Sequence, residues 1–578
     1  MKNPLRIRWI WLLAIVAAIA VLAFAACEDE EEEGVGETPA AGETPAAGER
    51  IQGGELTIAT DEPDSLDPHF SSFSQDIGLD RMLWRGLYWL DTDNVPQPAM
   101  AAAAPEISDD GTVYTVKLKE GLLWSDGDDL LAEDFVMGIL RTCNPVNAGE
   151  YQYLVSNVAG CDDHYGGEAF DQALEDLIGV RAIDDTTIEI TIQEAQPTFN
   201  IILSLWMTFP VPVHLFPTSD DPWPDPGPDA PGQLAYNGPY VLTGYEPGDS
   251  AVLEPNPNWS AHNGIETTLD RITLRFIEDR AVADNAFRSG EVDSADADEP
   301  QLQALIAEFD ASGEYVQVLF PGTTGLEMQL NDPVLGDPDT GLDVRLALTR
   351  ATDREALNTV CFGGGRVPTT SWVPEVSGGA APDAFDAEIG FDEAAAQQHM
   401  ADAGFPGGEG FPVLSFLVND RADRTCAAEF YQENFRTILG IETEIEVVDS
   451  PTRSARFTAE DFQLMPESGW IQDYPDPENW VLGQFDTGGS LNNFNCSDPE
   501  IDEKVEQARF NTNEAERLQL YEEINELIVT RVCGIGVATT LANHYLVKPS
   551  VVGMKENATG QDGTVAGDWI AEAWGVSE

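Results

Sequence analysis

Apolar and polar residues alternate with a period of two in Leu56-Thr57-Ile58, Tyr114-Thr115-Val116-Lys117-Leu118, Ile188-Glu189-Ile190-Thr191-Ile192, Ile272-Thr273-Leu274-Arg275-Phe276 and Val316-Gln317-Val318-Leu319-Phe320. That period predicts strands with one buried and one polar face. Helical signals lie between them. Asp392 opens a segment through Ala394, Ala395 and Met400 that Gly404 and Pro406 stop. Ser497 to Glu500 and Asn513 to Glu516 look like successive capping boxes, the second leading into Leu518, Tyr521, Ile524, Leu527 and Ile528. The class is mixed α/β. A chain of 578 residues is too long for one core and predicts two or more lobes. Pro217 to Pro231, rich in proline and aspartate with little to bury, reads as a surface crossover between lobes or as a long loop within one.

The amino terminus breaks both periods. Met1 to Arg8 is basic, and an apolar run without a charge follows from Trp9 to Ala26, the layout of an export signal. Such a run also approaches the about 20 residues that span a bilayer, so an uncleaved anchor is the alternative. Phe24-Ala25-Ala26-Cys27 resembles the bacterial lipobox, in which the cysteine is acylated and becomes the mature amino terminus, although Phe24 departs from the usual leucine. Residues 1–26 are expected to be the lipoprotein signal and Cys27 the lipid attachment site, with the body of the chain outside the membrane. Residues 27–50 hold Glu28 to Glu33 and a repeat, Gly36 to Ala41 copied in Gly42 to Ala47, which reads as an acidic, extended tether.

Charge narrows the partners. Against 29 Lys+Arg stand 103 Asp+Glu, a net charge of -74, which repels phosphate backbones and excludes nucleic acid. A hydrophobic fraction of 42% still supports a core, so the acid belongs mainly to the surface. Seven cysteines less Cys27 leave an even number for an oxidising compartment: Cys143, Cys161, Cys361, Cys426, Cys496 and Cys533. Nearest neighbours would pair 143 with 161, 361 with 426 and 496 with 533, but spacing alone does not choose among the connectivities. Without C-x-x-C or H-x-x-x-H spacing, no metal or cofactor is expected. Nor is there a G-x-S-x-G elbow or an H-E-x-x-H helix, which leaves an exported hydrolase as the weaker alternative from another class. The acidic loop Asp337 to Asp343 suggests a calcium module, but Leu348 stands where an EF-hand has glutamate, and Asp343 reads better as a helix cap.

From Gly53-Gly54-Glu55-Leu56-Thr57-Ile58 and Ser65-Leu66-Asp67-Pro68-His69 onward, the chain resembles the extracellular solute-binding proteins of family 5, the receptors of ABC importers. The likeness recurs in order at Trp124-Ser125-Asp126-Gly127, Asn237-Gly238-Pro239-Tyr240, Gly290-Glu291-Val292-Asp293, Asp343-Val344-Arg345 and Ala403-Gly404-Phe405. It implies a two-lobed periplasmic-binding-protein-like α/β fold with a hinge and an extra subdomain inserted in the first lobe. The expected division is lobe I at 51–95, 233–322 and 541–578, the inserted subdomain at 96–232, and the ligand-closing lobe II at 323–540. Function follows as capture of a peptide or similar small solute, delivered to the permease subunits by a monomeric, membrane-anchored receptor that is not an enzyme. An oligosaccharide receptor of the same family is the alternative.

Gly469-Trp470-Ile471-Gln472-Asp473-Tyr474-Pro475-Asp476-Pro477-Glu478-Asn479-Trp480 is similar to the peptide-receptor version of the family motif, in which the aspartate before the tyrosine receives the peptide's α-amino group. The resemblance places that role on Asp473. An enclosed ammonium loses its hydration, and a carboxylate replaces it with a charge-assisted hydrogen bond. Trp470 and Tyr474 would supply rigid walls or cation–π contact. Asp476 before Pro477 is the better helix start, so capping does not require Asp473.

Overall fold

Each of the five alternating segments is a strand in the computed structural model, which describes residues 50–167, 169–259, 264–557 and 568–577. The expected signal, Cys27 and all of the tether but Arg50 lie outside the described residues. Among the described residues no helix is long and apolar enough to cross a membrane.

The strands of the first half of the chain are β1 (Glu55–Thr60), β2 (Tyr88–Leu90), β3 (Pro96–Pro98), β4 (Glu106–Ile107), β5 (Val113–Lys117), β6 (Val180–Asp184), β7 (Thr187–Thr191), β8 (Tyr240–Glu246), β9 (Ser250–Pro255), β10 (Arg271–Phe276) and β11 (Ser294–Asp296). The second half adds β12 (Tyr315–Met328), β13 (Val367–Pro368), β14 (Leu414–Asn419), β15 (Thr443–Val448), β16 (Leu464–Ile471) and β17 (Ile535–Val547). An 11-stranded sheet has the order β15-β14-β16-β12-β17-β11-β1-β10-β9-β8, with β13 beside β17. A separate sheet, β4-β5-β7-β6, is crossed by the helix Ala132–Thr142, whose apolar stripe it buries.

Two long antiparallel strands, β12 and β17, join the two halves of the large sheet. The first part of β12 pairs with the end of β17, which also carries β11, while β16 pairs only with Gly322–Met328. The ladder between β12 and β17 slips between Leu319 and Thr323, across Phe320-Pro321-Gly322. Pro321 has no N–H to give a ladder, so the break falls where the backbone is least able to pair. Helices cover both sides, among them Arg280–Ser289 and Leu302–Phe309 on the β1 side and Ala422–Asn434 and Glu514–Thr530 on the other. Trp84, Trp124, Trp206, Trp372, Trp480 and Trp574 are fully buried.

Three disulfides join Cys143 to Cys161, Cys361 to Cys426 and Cys496 to Cys533. Asp392 caps its helix by accepting from Ala395 N–H. Three further capping expectations need correction. The helix Pro499–Arg509 is capped by Asp498, whose carboxylate accepts from Glu500 N–H, rather than by Ser497. Pro499 fixes the first helical position, so the cap is the residue just before it. Asn513 holds the cap position of Glu514–Thr530 without a side-chain hydrogen bond to the helix. Asp343 is no cap: its helix begins at Gly341, and its carboxylate instead meets Nδ1 of His399 at 2.8 Å.

Candidate ligand-binding site

The segment after β16 is built by the backbone of its neighbours. A Cβ on Gly469 would lie 2.0 Å from the carbonyl oxygen of Thr323, so only glycine lets β12 and β16 approach here. Just before it, Glu467 forms a bulge opposite Gly325 and Leu326 with φ of +52°, a left-handed conformation that is costly for a side chain with a Cβ. The turn that follows carries Asp473 and ends where Asp476 caps Pro477–Trp480 by accepting from Glu478 N–H. Asp476 is also gripped by both arms of Arg517, at 2.7 Å each.

Asp473 is buried, and Asn479 clamps it from below. Asn479 Nδ2 donates to Asp473 Oδ2 at 2.9 Å, while its Oδ1 accepts from the backbone N–H of Asp473 at 2.8 Å and from Trp470 Nε1 at 3.1 Å. One amide therefore sets both the carboxylate and the indole. On the other side the hydroxyl of Tyr151 donates to Asp473 Oδ1 at 3.4 Å. Burial pushes the Asp473 carboxyl up to about 7, against the pull of the Asn479 hydrogen bond, the nearby positive charge of Arg81 and the Tyr151 hydroxyl. A cation brought beside this carboxylate would favour its charged form.

The ring of Tyr151 stacks on Trp470 with centroids 6.2 Å apart and meets Trp206 edge-on at 4.7 Å. The guanidinium of Arg81, from the helix Ser74–Leu83, stands over the same Trp206 at 5.8 Å and is paired with Asp568 at 3.3 Å. Trp470 is half-buried at this junction, whereas Tyr474 is fully buried in the core. Glu478, pushed up to about 7 by burial and by Asp476, accepts from Gln196 Nε2 at 3.1 Å and from the Thr198 hydroxyl. The turn is thus tied to the 96–232 region at two points.

A second group of charges lines the seam between the two halves of the large sheet. Arg366 reaches Glu299 at 2.5 Å and Glu467 at 2.5 Å, Arg280 grips Asp61 at 2.9 and 3.0 Å, and Arg421 grips Asp423 at 3.2 and 3.0 Å. Beside them Arg424 and Arg453 have no ion-pair partner among the described residues. Burial and their mutual repulsion hold Arg424 well below the usual arginine range, and burial takes Arg453 to about 10. A buried guanidinium without a counter-ion is costly, which a ligand's negative group would offset.

Sequence reasoning placed Asp473 and Trp470 at this junction but missed Asn479, Tyr151, Trp206, Arg81, Arg424 and Arg453. Asn479 was within reach, six residues on in the same motif. The others lie far away along the chain with no local signal.

The description "Bacterial extracellular solute-binding proteins, family 5 Middle" matches residues 95–492. The chain belongs to that family. It is 27% identical to the periplasmic oligopeptide-binding protein OppA of Escherichia coli K12, over 87% of this chain and 89% of that one. It is also 27% identical to the probable deoxycholate-binding periplasmic protein YgiS of the same strain, over 81% and 84% of the two chains. Among solved structures, Haemophilus influenzae OppA in complex with RPPGFSPFR superposes with a TM-score of 0.79, at 22% identity, covering 92% of this chain and 100% of that one. The fold is the two-lobed α/β architecture of that group, and the relatives named here are binding proteins rather than enzymes.

Proposed function

We propose that this chain is the peptide-capturing receptor of an ABC importer, binding a peptide in the seam between two lobes and delivering it to the permease. The observation that carries the reading is Asp473: a buried carboxylate set by Asn479, walled by Trp470 and Tyr151, and deprived of hydration. An α-ammonium, a cation with three donors, is the ligand group that such a carboxylate receives by charge-assisted hydrogen bonds. At the opposite sign, Arg424 and Arg453 suit a ligand carboxylate. The relatives named for oligopeptide binding support the same class. Tyr474, enclosed in the core, serves by backing the turn. The register slip at Phe320-Pro321-Gly322 supports a hinge there, with lobe I at 51–95, 233–322 and 541–578, lobe II at 323–540 and the inserted subdomain at 96–232. Acylation of Cys27 would tether the receptor to the outer face of the membrane, where a monomer suffices, and the reading needs no catalytic step.

The likeness to a protein named for deoxycholate, together with the two unpaired guanidiniums and the aromatic walls, favours one second reading: an amphipathic carboxylate without an amine. Calorimetric titration of residues 49–578 separates them. A pool of short peptides should bind, the same pool N-acetylated should bind at least tenfold more weakly, and Asp473→Asn should erase the difference. Equal binding of both pools would discard the amine anchor; silence from peptides with binding of deoxycholate would replace the reading.

A further inference from the structure

Two adjacent parallel strands end at the seam. β14 and β15 run side by side from Leu414↔Thr443 to Asn419↔Val448, and each is followed by a helix, Ala422–Asn434 and Ser450–Thr458. The carboxyl ends of parallel strands are where an open α/β sheet receives a ligand. Arg424 stands in the first turn of one helix and Arg453 in the first turn of the other, against the sense of both helix dipoles. Nε and Nη2 of Arg453, the two donors on one edge of its guanidinium, are buried and have no hydrogen-bond partner among the described residues. We propose that Arg424 and Arg453 form a carboxylate subsite at a fixed reach from Asp473, so that the receptor selects ligands whose carboxylate lies about four to six residues from their ammonium.

The inference rests on the peptide reading and extends it. β14 pairs with β16 in parallel at Phe416↔Leu464, and counting on three residues sets Asn419 level with Glu467. Arg453 lies within electrostatic reach of Glu467 and Glu327, and Arg424 within reach of Arg453 and of Asp61, just past the end of β1. Both cations therefore stand toward the Glu467 end of β16, and Asp473 at the other. The six positions from Glu467 to Asp473 cover about 20 Å of extended chain, and an extended ligand covers at most about 3.5 Å per residue. From Ser468 to Ile471 β16 pairs with β12 alone, which leaves its other edge to a strand laid alongside. About six residues fill the span, and about four suffice where the long arginine side chains reach back along it. Arg280, Arg366 and Arg421 at the same seam are paired with carboxylates, so a ligand's anion falls to Arg424 and Arg453.

Calorimetric titration with alanine and glycine peptides, from dipeptide to octapeptide, tests the reach. Each is offered as the free acid and as the carboxyl-terminal amide, and a second arm offers an octapeptide amide with glutamate or glutamine at its fifth position. At about four to six residues the free acid should bind about tenfold or more tightly than the amide, and the difference should shrink at shorter and longer lengths. A gain of about tenfold from glutamate over glutamine in the second arm would name a side chain as the source of the carboxylate. Either gain supports the subsite. Arg424→Gln/Arg453→Gln should remove whichever gain is found, and Arg424→Lys/Arg453→Lys should keep part of it. Indifference of the parent protein to both carboxylates, an acid-over-amide gain equal at every length, or a gain that survives the double glutamine variant would overturn the subsite while free-amine peptides still bind. Failure of every peptide, the mixed free pool included, would remove this inference together with the peptide reading.

Discussion

At the scale of single residues, the raised carboxyl of Asp473 has a consequence for ligand capture. Its proton is held up to a pH of about 7 by burial, yet an ammonium requires the charged form. Binding at pH 6 must therefore expel a proton, and binding at pH 9 must not. Titrating a free-amine peptide in two buffers of different ionisation heat should give about one proton released per ligand at pH 6, turning to an uptake approaching one proton at pH 9, where the free amine, with a pKa of about 8, must be protonated to bind as ammonium. Asp473→Asn should abolish the release at pH 6; no release at pH 6 in the parent protein would show that Asp473 is not the receiving group. Asp473 stood out as a candidate in the sequence because the motif carrying it is short and local. Asn479 stood in the same motif yet drew no attention, since a neutral amide inside a turn has many bland uses and its three bonds appear only once the turn is folded. Tyr151 carried no sequence signal at all: it stands beside Asp473 only because the fold brings together positions hundreds of residues apart.

Elements show the same division between local and distant causes. Alternation predicted β1, β5, β7, β10 and the start of β12, because a strand with one solvated face writes its period into the sequence. The pattern stopped at Phe320, while β12 continues through Pro321 and Gly322 to Met328. Those two residues carry no alternation because they mark the slip in the ladder. Helix starts were misplaced where proline or an earlier turn shifted the cap, as at Asp498 and at Gly341. The disulfides lend the elements a testable order of stability. Cys361–Cys426 closes 65 residues and joins Arg354–Cys361 to the helix carrying Asp423 and Arg424, whereas Cys143–Cys161 closes 18. Loop-closure entropy assigns about 4 kcal/mol to the first and about 3 kcal/mol to the second. Calorimetric melting should show a larger loss for Cys361→Ser/Cys426→Ser than for Cys143→Ser/Cys161→Ser. The reverse order would mean that native packing around each bridge outweighs loop length.

The whole molecule combines an acidic surface with carboxylates buried inside it, most of which respond to pH in the same direction as the surface. Composition disclosed the net charge of -74 but not which acids are enclosed. Nor did it disclose that positions 487 residues apart meet in the buried pairs Arg81–Asp568 and Arg85–Glu572. Burial pushes Asp76 up to about 8, Glu327, Glu478 and Asp284 to about 7 and Asp296 to about 6. For each, the folded protein holds a proton that the unfolded chain, titrating near 4, has lost. Their stabilisation is complete below about pH 4 and disappears as pH rises through 6 to 8. Asp67 and Asp423 run the other way. Burial would raise them, but Arg141 and Arg421 outweigh it and hold them well below the usual range. Their contribution is present above about pH 4 and is lost only on further acidification. Between pH 5 and 8 the raised group therefore decides, and surface self-repulsion adds to it, since fewer ionised carboxylates repel less. The melting temperature should be higher at pH 5.5 than at pH 8. Salt should narrow that gap, because screening with a Debye length of about 3 Å at 1 M removes the surface part and leaves the buried part in place. Scanning calorimetry at both pH values in low and high salt separates the two. A gap that vanishes entirely in salt would assign the effect to the surface, and a melting temperature that falls on acidification would show that Asp67, Asp423 and the exposed ion pairs dominate instead.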